Sequence, residues 1–361
     1  YEQVQPYLAG AYDLNEAFKP QPKARHTPGQ TSRLSKILKK IKRKFSQITP
    51  TTTPTQTPLA EFVAKANIDF LYPIIYYNFD PSILPLPCAW AGWIPDFQHK
   101  YLTHFFSDQE IAKRDRGIQL LAEAAPKMVF SSASAVQDYE RFYPAYVHKA
   151  NVLSFRTIPS ADWYSAAPLA VQKQYSLPDR FFIICNQFWQ HKNHLLVFEA
   201  LALLKARSIF PTVVCTGKLA DRNNPDYIQQ IYRKIEDSGL ADQVHLLGLI
   251  PRLDQIQLIR RSLALIQPSL FEGWSTSIED ARVLGKPMVL SDFPVHLEQN
   301  PPNTTFFQRQ NAEDLAHTLE NYWKKCVPGP SLLLEDVAKE NNAQEVKAFA
   351  LRFLDIARSP I

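Results

Sequence analysis

Short apolar runs, each closed by glycine, proline or small polar residues, alternate along most of the chain with longer stretches whose apolar positions recur at helical spacing. That rhythm predicts β-strands interleaved with amphipathic helices, and so a parallel, doubly wound α/β architecture. It is cleanest in the second half, where strands are read at 181–185, 212–216, 244–247, 263–266, 288–290 and 304–307. Helices are read among them at 193–206, 225–237, 253–261 and from 276 to about 284, and two more close the chain at 312–326 and 343–356.

In the first half, strands are read at 67–74, near 88–93, at 127–130 and at 152–158. Ser131, Ser132 and Ser134 lead into a helix at 136–142, and 159–174 reads as a hinge. Ahead of these the pattern changes: 3–18 is weakly helical, and 46–58, rich in Thr and Pro, reads as a flexible link. Between them, at 33–45, Leu34, Ile37, Leu38, Ile41 and Phe45 stand at helical spacing with seven basic residues mostly opposite. Such a helix suits an anionic membrane surface, and equally a domain surface with a solvated basic face. The boundaries give a first unit at 1–165, a second at 166–342 and a closing helix at 343–361 whose apolar side, with Phe349, Leu351, Phe353 and Leu354, faces back toward the first.

Length supports that division, because 361 residues exceed what one core holds. At 45% hydrophobic and 21% charged residues the composition is that of an ordinary globular protein. No apolar run approaches the ~20 residues of a membrane-spanning helix, and no signal peptide precedes the body of the chain. The first residue is Tyr1, which suggests a fragment or a processed product. Cys88, Cys185, Cys215 and Cys326 are scattered and form no C-x-x-C pair, which fits a reducing cytoplasm. The net charge of +5 is local: residues 1–60 carry ten Lys/Arg against three acids, +7, which leaves −2 for the rest. A nucleic-acid footprint spread over the surface is therefore not expected.

The chemistry concentrates at 268–299. A strand ends at Pro268 and Ser269, residues 271–275 form a tight loop, and a helix follows that Gly285, Lys286 and Pro287 stop. In a parallel α/β sheet such a loop faces the ligand crevice. Thr276 with Glu279 has the spacing of a capping box, so Thr276 is the expected N-cap and its helix tip an anion-seeking group. Glu272 in the loop and Glu279 or Asp280 in the first turn bracket the site, and paired carboxylates suit the vicinal hydroxyls of a ribose or hexose.

The segment EGWSTSIED, with GKP and SD after it, resembles the signature of family-four (group 1) retaining glycosyltransferases of the GT-B architecture, an acid, seven residues and a second acid. The resemblance runs through 176–299 and in weaker form through 67–143, and implies two Rossmann-like domains facing across a cleft. It makes 1–165 the acceptor-side domain and 166–342 the nucleotide-sugar donor-binding domain. By the same resemblance Glu272 contacts the transferred sugar, and Asp280 or Glu279 the ribose. Gly273, Trp274, Ser275 and Thr276 belong to that donor loop. Lys192 neutralises the donor diphosphate, in a loop with Asn186 and Gln187, and His99, beside Asp96, lies near the transferred sugar. Gln187 departs from the pattern, since the family has Arg there; Lys218, after Gly217, is the expected compensating cation. The opening strand and glycine loop of a GT-B first domain are not found in 1–31.

The expected function is hexosyl transfer from a nucleotide sugar to a hydroxyl of a glycan or lipid-linked acceptor, with retention and without a metal. It would serve glycan biosynthesis, in the cytoplasm or at the inner face of the membrane through 33–45. The alternative is a catalytically impaired GT-B-like binding or scaffold protein, suggested by Gln187 and the missing glycine loop. His191 and His194 lack the spacing and partners of a zinc site, and His104 reads as structural.

Overall fold

The computed structural model describes residues 57–221 and 223–359, so the segments read at 3–18 and 33–45, and all of the link 46–58 except its last two residues, lie outside it. Those two residues open a helix, Thr57 as its cap and Pro58 as its first residue. Thr57 caps helix α1 (Pro58–Lys65) by accepting from the Ala60 N–H, and Pro58 occupies the first turn, where its missing N–H costs nothing.

The first sheet is parallel, in the order β1 (Phe70–Ile75), β2 (Ala89–Ile94), β3 (Met128–Phe130), β4 (Ala150–Val152). Helices α2 (Asp108–Ala124) and α3 (Ala133–Phe142) carry the crossovers. The strand read at 67–74 starts later because Asn67 takes a left-handed turn, φ 51°, just after α1. The strand read at 152–158 is cut back to its first residue, because Phe155 to Thr157 are held by side chains of the other unit and not by a ladder. The 159–174 stretch contains short helices at Asp162–Ser165 and Pro168–Gln174.

The second sheet holds β5 (Phe182–Cys185), β6 (Val213–Thr216), β7 (Val244–Gly248), β8 (Leu265–Gln267), β9 (Met288–Ser291) and β10 (Thr304–Phe307). All pair in parallel, in the order β7-β6-β5-β8-β9-β10. Every residue of β5, β6, β8 and β9 is buried, as strands covered on both faces require. The covering helices are α4 (His194–Ala206), α5 (Tyr227–Asp237), α6 (Arg252–Arg261), α7 (Thr276–Val283), α8 (Pro294–Gln299) and α9 (Ala312–Lys325). Strand order reverses between β5 and β8, and the ligand crevice of such sheets opens beyond the carboxyl ends of those two strands.

The last helix, α10, runs unbroken from Leu332 to Arg358 and so begins earlier than the 343 read from the sequence. Its first turns hold to the second unit through a buried pair in which Arg260 Nε lies 2.7 Å from Glu335. Its last turns lay Phe349, Phe353 and Ile356 against Ala91, Val129 and Leu153 of the first unit. There the Lys127 ammonium donates to the Ile356 and Ser359 carbonyls, at 2.6 Å each, which satisfies the helix end. Among the described residues no helix is long and apolar enough to cross a membrane.

Candidate active site

A chain of buried polar groups crosses the switch point. At the end of β5 the Asn186 amide donates to Gln267 Oε1, 2.6 Å away at the end of β8. Gln267 Nε2 in turn donates to Glu272 Oε1 at 2.8 Å and to Ser275 Oγ at 2.9 Å. Lys192 Nζ donates to the same Glu272 oxygen at 2.5 Å. Asn193 bends the Lys192 loop into α4 with φ 58°, a left-handed conformation that Asn tolerates better than most residues. Its amide holds the Pro268 and Arg309 carbonyls, and the Leu270 N–H donates to His191 O at 2.8 Å, so the two loops move as one. Gly217, φ 135°, lies so close to the Asn186 carbonyl that a Cβ would overlap it.

The loops meet the first unit at Gly273, where a Cβ would overlap the Pro95 carbonyl oxygen. This contact sets Asp96 beside Glu272 in the wall of a cavity of about 610 Å³, which Lys192, His191 and Arg114 also line. Burial pushes the Glu272 carboxyl up, but Lys192, then His296 and His191, outweigh it and hold the group below the usual carboxylate range. For Asp96 burial wins over the Gln98 N–H and Arg114, and its carboxyl is raised. Burial, reinforced by the Lys192 charge, pushes the His191 imidazole down to about 3, so it is neutral at pH 7. The site thus pairs an ionised carboxylate with a cation, beside a second carboxyl biased toward its acid form.

Not every residue singled out from the sequence arrives here. His99 is fully buried behind the cavity wall, where its Nε2 donates to Asp115 at 2.9 Å. His104, read as structural, does line the cavity. Gln187 and Lys218 are exposed and lie outside its lining, whereas Arg114 lines it. Trp274 turns away, its indole N–H donating to the Phe155 carbonyl at 3.1 Å. The N-cap of α7 is Ser275, whose hydroxyl accepts from the Ile278 N–H, and Thr276 is exposed. The Ser275 N–H goes to Gln299 Oε1 at 3.2 Å, so no capping box with Glu279 forms.

The helix acids bind arginines and the chain that joins the units. Glu279 accepts from Arg156 at 3.0 Å and Arg282 at 2.7 Å. Asp280 lies 2.6 Å from Arg252 and accepts from the Thr157 hydroxyl at 3.2 Å. Burial raises its carboxyl further than Arg252 and Thr157 lower it. Neither acid lines the Glu272 cavity. Of the wall residues, Arg114 escaped sequence reading although a signal was present: it shares the buried face of α2 with Ile118, Leu121 and Ala122. His194, stacked at 4.1 Å on Phe188 and fully buried, is structural.

Residues 170–325, from before β5 to the end of α9, match the family described as glycosyl transferases group 1. The match spans the whole second sheet from β5 to β10, with α9. Solved structures show the whole described chain to have the GT-B fold. HepE of Anabaena, solved in complex with UDP-glucose, superposes with a TM-score of 0.61 at 16% identity, over 83% of this chain and 84% of its own. A glycosyltransferase of Rickettsia africae gives 0.60 at 15% identity, over 89% and 87%. Sucrose-phosphate synthase of Thermosynechococcus elongatus gives 0.58 at 16%, over 82% and 75%. No curated protein matches the chain by sequence. Within the matched segment the Lys192–Glu272 pair stands at the switch point of the sheet. Among the described residues no group of three or more His, Cys, Asp or Glu side chains is placed to hold a metal ion.

Proposed function

We propose that the chain transfers a hexose from a nucleoside diphosphate sugar to an acceptor hydroxyl, with retention of configuration and without a metal. The observation that carries this is the Lys192–Glu272 contact of 2.5 Å, which joins the loops after β5 and β8 at the strand-order reversal. In this reading the sugar is held by Glu272, whose ionised carboxylate accepts from its hydroxyls, while the Lys192 ammonium faces the diphosphate. Charge develops on the leaving phosphate as the glycosidic bond breaks, and a fixed cation in a water-poor crevice stabilises that charge without reorganising. Asp96, whose carboxyl is raised by burial, faces the sugar beside Glu272. His99 acts only through Asp115 and the wall it supports, and the ribose falls to Asp280, in exchange for its Arg252 or Thr157 contact. The second unit is the donor domain and the first the acceptor domain, and a cytoplasmic enzyme fits the free thiols.

A second reading, a GT-B-like binding protein without turnover, is favoured by one observation: Glu279 and Asp280 both bind arginines of the same chain. Turnover separates the two. Incubation with nucleotide sugars and detection of released nucleoside diphosphate should show hydrolysis or transfer, and Glu272→Gln should lower kcat by about a hundredfold, the scale of one lost transition-state contact. A well-folded protein that binds a nucleotide sugar and never releases its nucleotide would support the second reading. An anomeric proton of inverted configuration in the product would refute retention.

A further inference from the structure

The Lys192–Glu272 pair is tied to the segment that joins the two units. Gln267, which donates to Glu272, also donates to Ser275 Oγ at 2.9 Å. The Ser275 backbone is gripped in turn by Gln299, which accepts from its N–H and donates to its carbonyl, both at 3.2 Å. The same Gln299 amide donates to Glu279 Oε1 at 3.3 Å, and Arg156 donates to that oxygen at 3.0 Å. A continuous line of contacts thus runs from Arg156 through Glu279, Gln299, Ser275 and Gln267 to Glu272. A second line is shorter. The Arg156 guanidinium lies 5.4 Å from the Trp274 ring, whose indole donates to the Phe155 carbonyl at 3.1 Å. Both lines end on the tight loop that carries Glu272.

Arg156 also lies 2.7 Å from Glu345 of α10, the helix that spans both units. Burial of Glu279 does not by itself require Arg156, because Arg282 stands 2.7 Å from the other oxygen of that carboxylate. We propose that Arg156 is a positioning residue: it couples the angle between the units to the placement of Glu272 against Lys192, so that closure aligns the pair. The inference rests on the transfer reading above and adds to it a residue that touches neither donor nor acceptor. Contiguous hydrogen-bonded and packed side chains can carry such coupling, and a misplacement of about 1 Å at a reacting group costs on the order of a hundredfold in rate.

The test uses the full chain and the release of nucleoside diphosphate from UDP-glucose, GDP-mannose and ADP-glucose, continued with whichever donor the wild type turns over. Arg156→Ala should lower kcat roughly tenfold to a hundredfold and leave the donor KM within about threefold, the pattern of an interaction made in the transition state. Arg156→Lys, which keeps a cation for Glu279, should recover most of that loss. Arg156→Gln, which keeps an amide, carries the same expectation as Arg156→Ala and takes its place should the alanine variant not fold. Gln299→Ala combined with Arg156→Ala should be no more than about threefold slower than Arg156→Ala alone, because the two residues serve one line. A lowered melting temperature with wild-type kcat in the Arg156 variants would show a merely structural role and overturn the proposal. Losses that multiply in the double variant would overturn it as well. In both cases wild-type turnover, and the transfer reading, would stand. A wild type that releases no nucleotide from any of the three donors would remove the transfer reading, and the positioning role with it.

Discussion

Glu272 owes its ionised state to a cation that lies 80 positions away in sequence. Its folded pKa is depressed, so the contact contributes stability that is present above the unfolded pKa of ~4.3 and is lost as pH falls through the folded value. Acid titration of the melting temperature should therefore fall more steeply for the wild type than for Glu272→Gln; parallel curves would deny the pairing. Asp96 has the opposite sign. Its folded pKa is raised, so stability is present below the unfolded value and is lost as pH rises through the folded one. Asp96→Asn, which keeps an oxygen for the Gln98 N–H, should raise the melting temperature at pH 7 and much less at pH 4. An Asn variant less stable at both would show that the charge is wanted there. At this scale the sequence was informative about Glu272 and Lys192, because a motif gives their type and spacing. It was silent on Arg114 and on the burial of His99 against Asp115, because which side of a loop faces the crevice depends on packing.

The elements were most legible where the physics is local. Strands of the second sheet stand out because burial on both faces leaves an uninterrupted apolar run. The 152–158 stretch has the same look, with Val152, Leu153, Phe155 and Ile158, yet past Leu153, whose N–H still reaches the Phe130 carbonyl, the Phe155 carbonyl serves the other unit. Nothing in its composition tells a ladder from a row of side-chain partners. The N-cap of α7 was misread by one position for a similar reason: Ser275 and Thr276 are equally good caps, and Gln267 decides by donating to Ser275 Oγ at 2.9 Å. Ser275→Ala should cost about 1 kcal/mol of stability in urea denaturation, the usual worth of a side-chain cap. It should also lower activity, since Gln267 would be left to Glu272 alone. A Thr276→Ala variant, whose hydroxyl caps nothing, should match the wild type; equal loss in both would put the cap at the wrong residue.

The contacts between the two units include a close backbone approach and a carboxylate. Gly273 meets Pro95, and Glu298 of α8 accepts from the Ala133 and Ser134 N–H groups at 2.7 and 3.0 Å, at the start of α3 in the first unit. Helix α10 and residues 155–157 join them at the back, so opening would be a hinge motion about that side. Gly273→Ala should hold the units apart, which small-angle scattering would register as a larger radius of gyration. Turnover should fall with it, although Glu272 and Lys192 both remain; an unchanged radius would mean that the loop yields instead. Such cross-unit contacts were illegible in the sequence, which shows one glycine and one glutamate with nothing to say that they face another domain.

Nucleotide-sugar binding to the wild type and to Lys192→Ala, followed by calorimetric titration, tests the central claim most directly. The wild type should bind at least one nucleoside diphosphate sugar, and Lys192→Ala should bind it tenfold to a hundredfold more weakly, about the 1.5–3 kcal/mol of one charge-assisted hydrogen bond. Equal affinity in the two proteins would contradict the account.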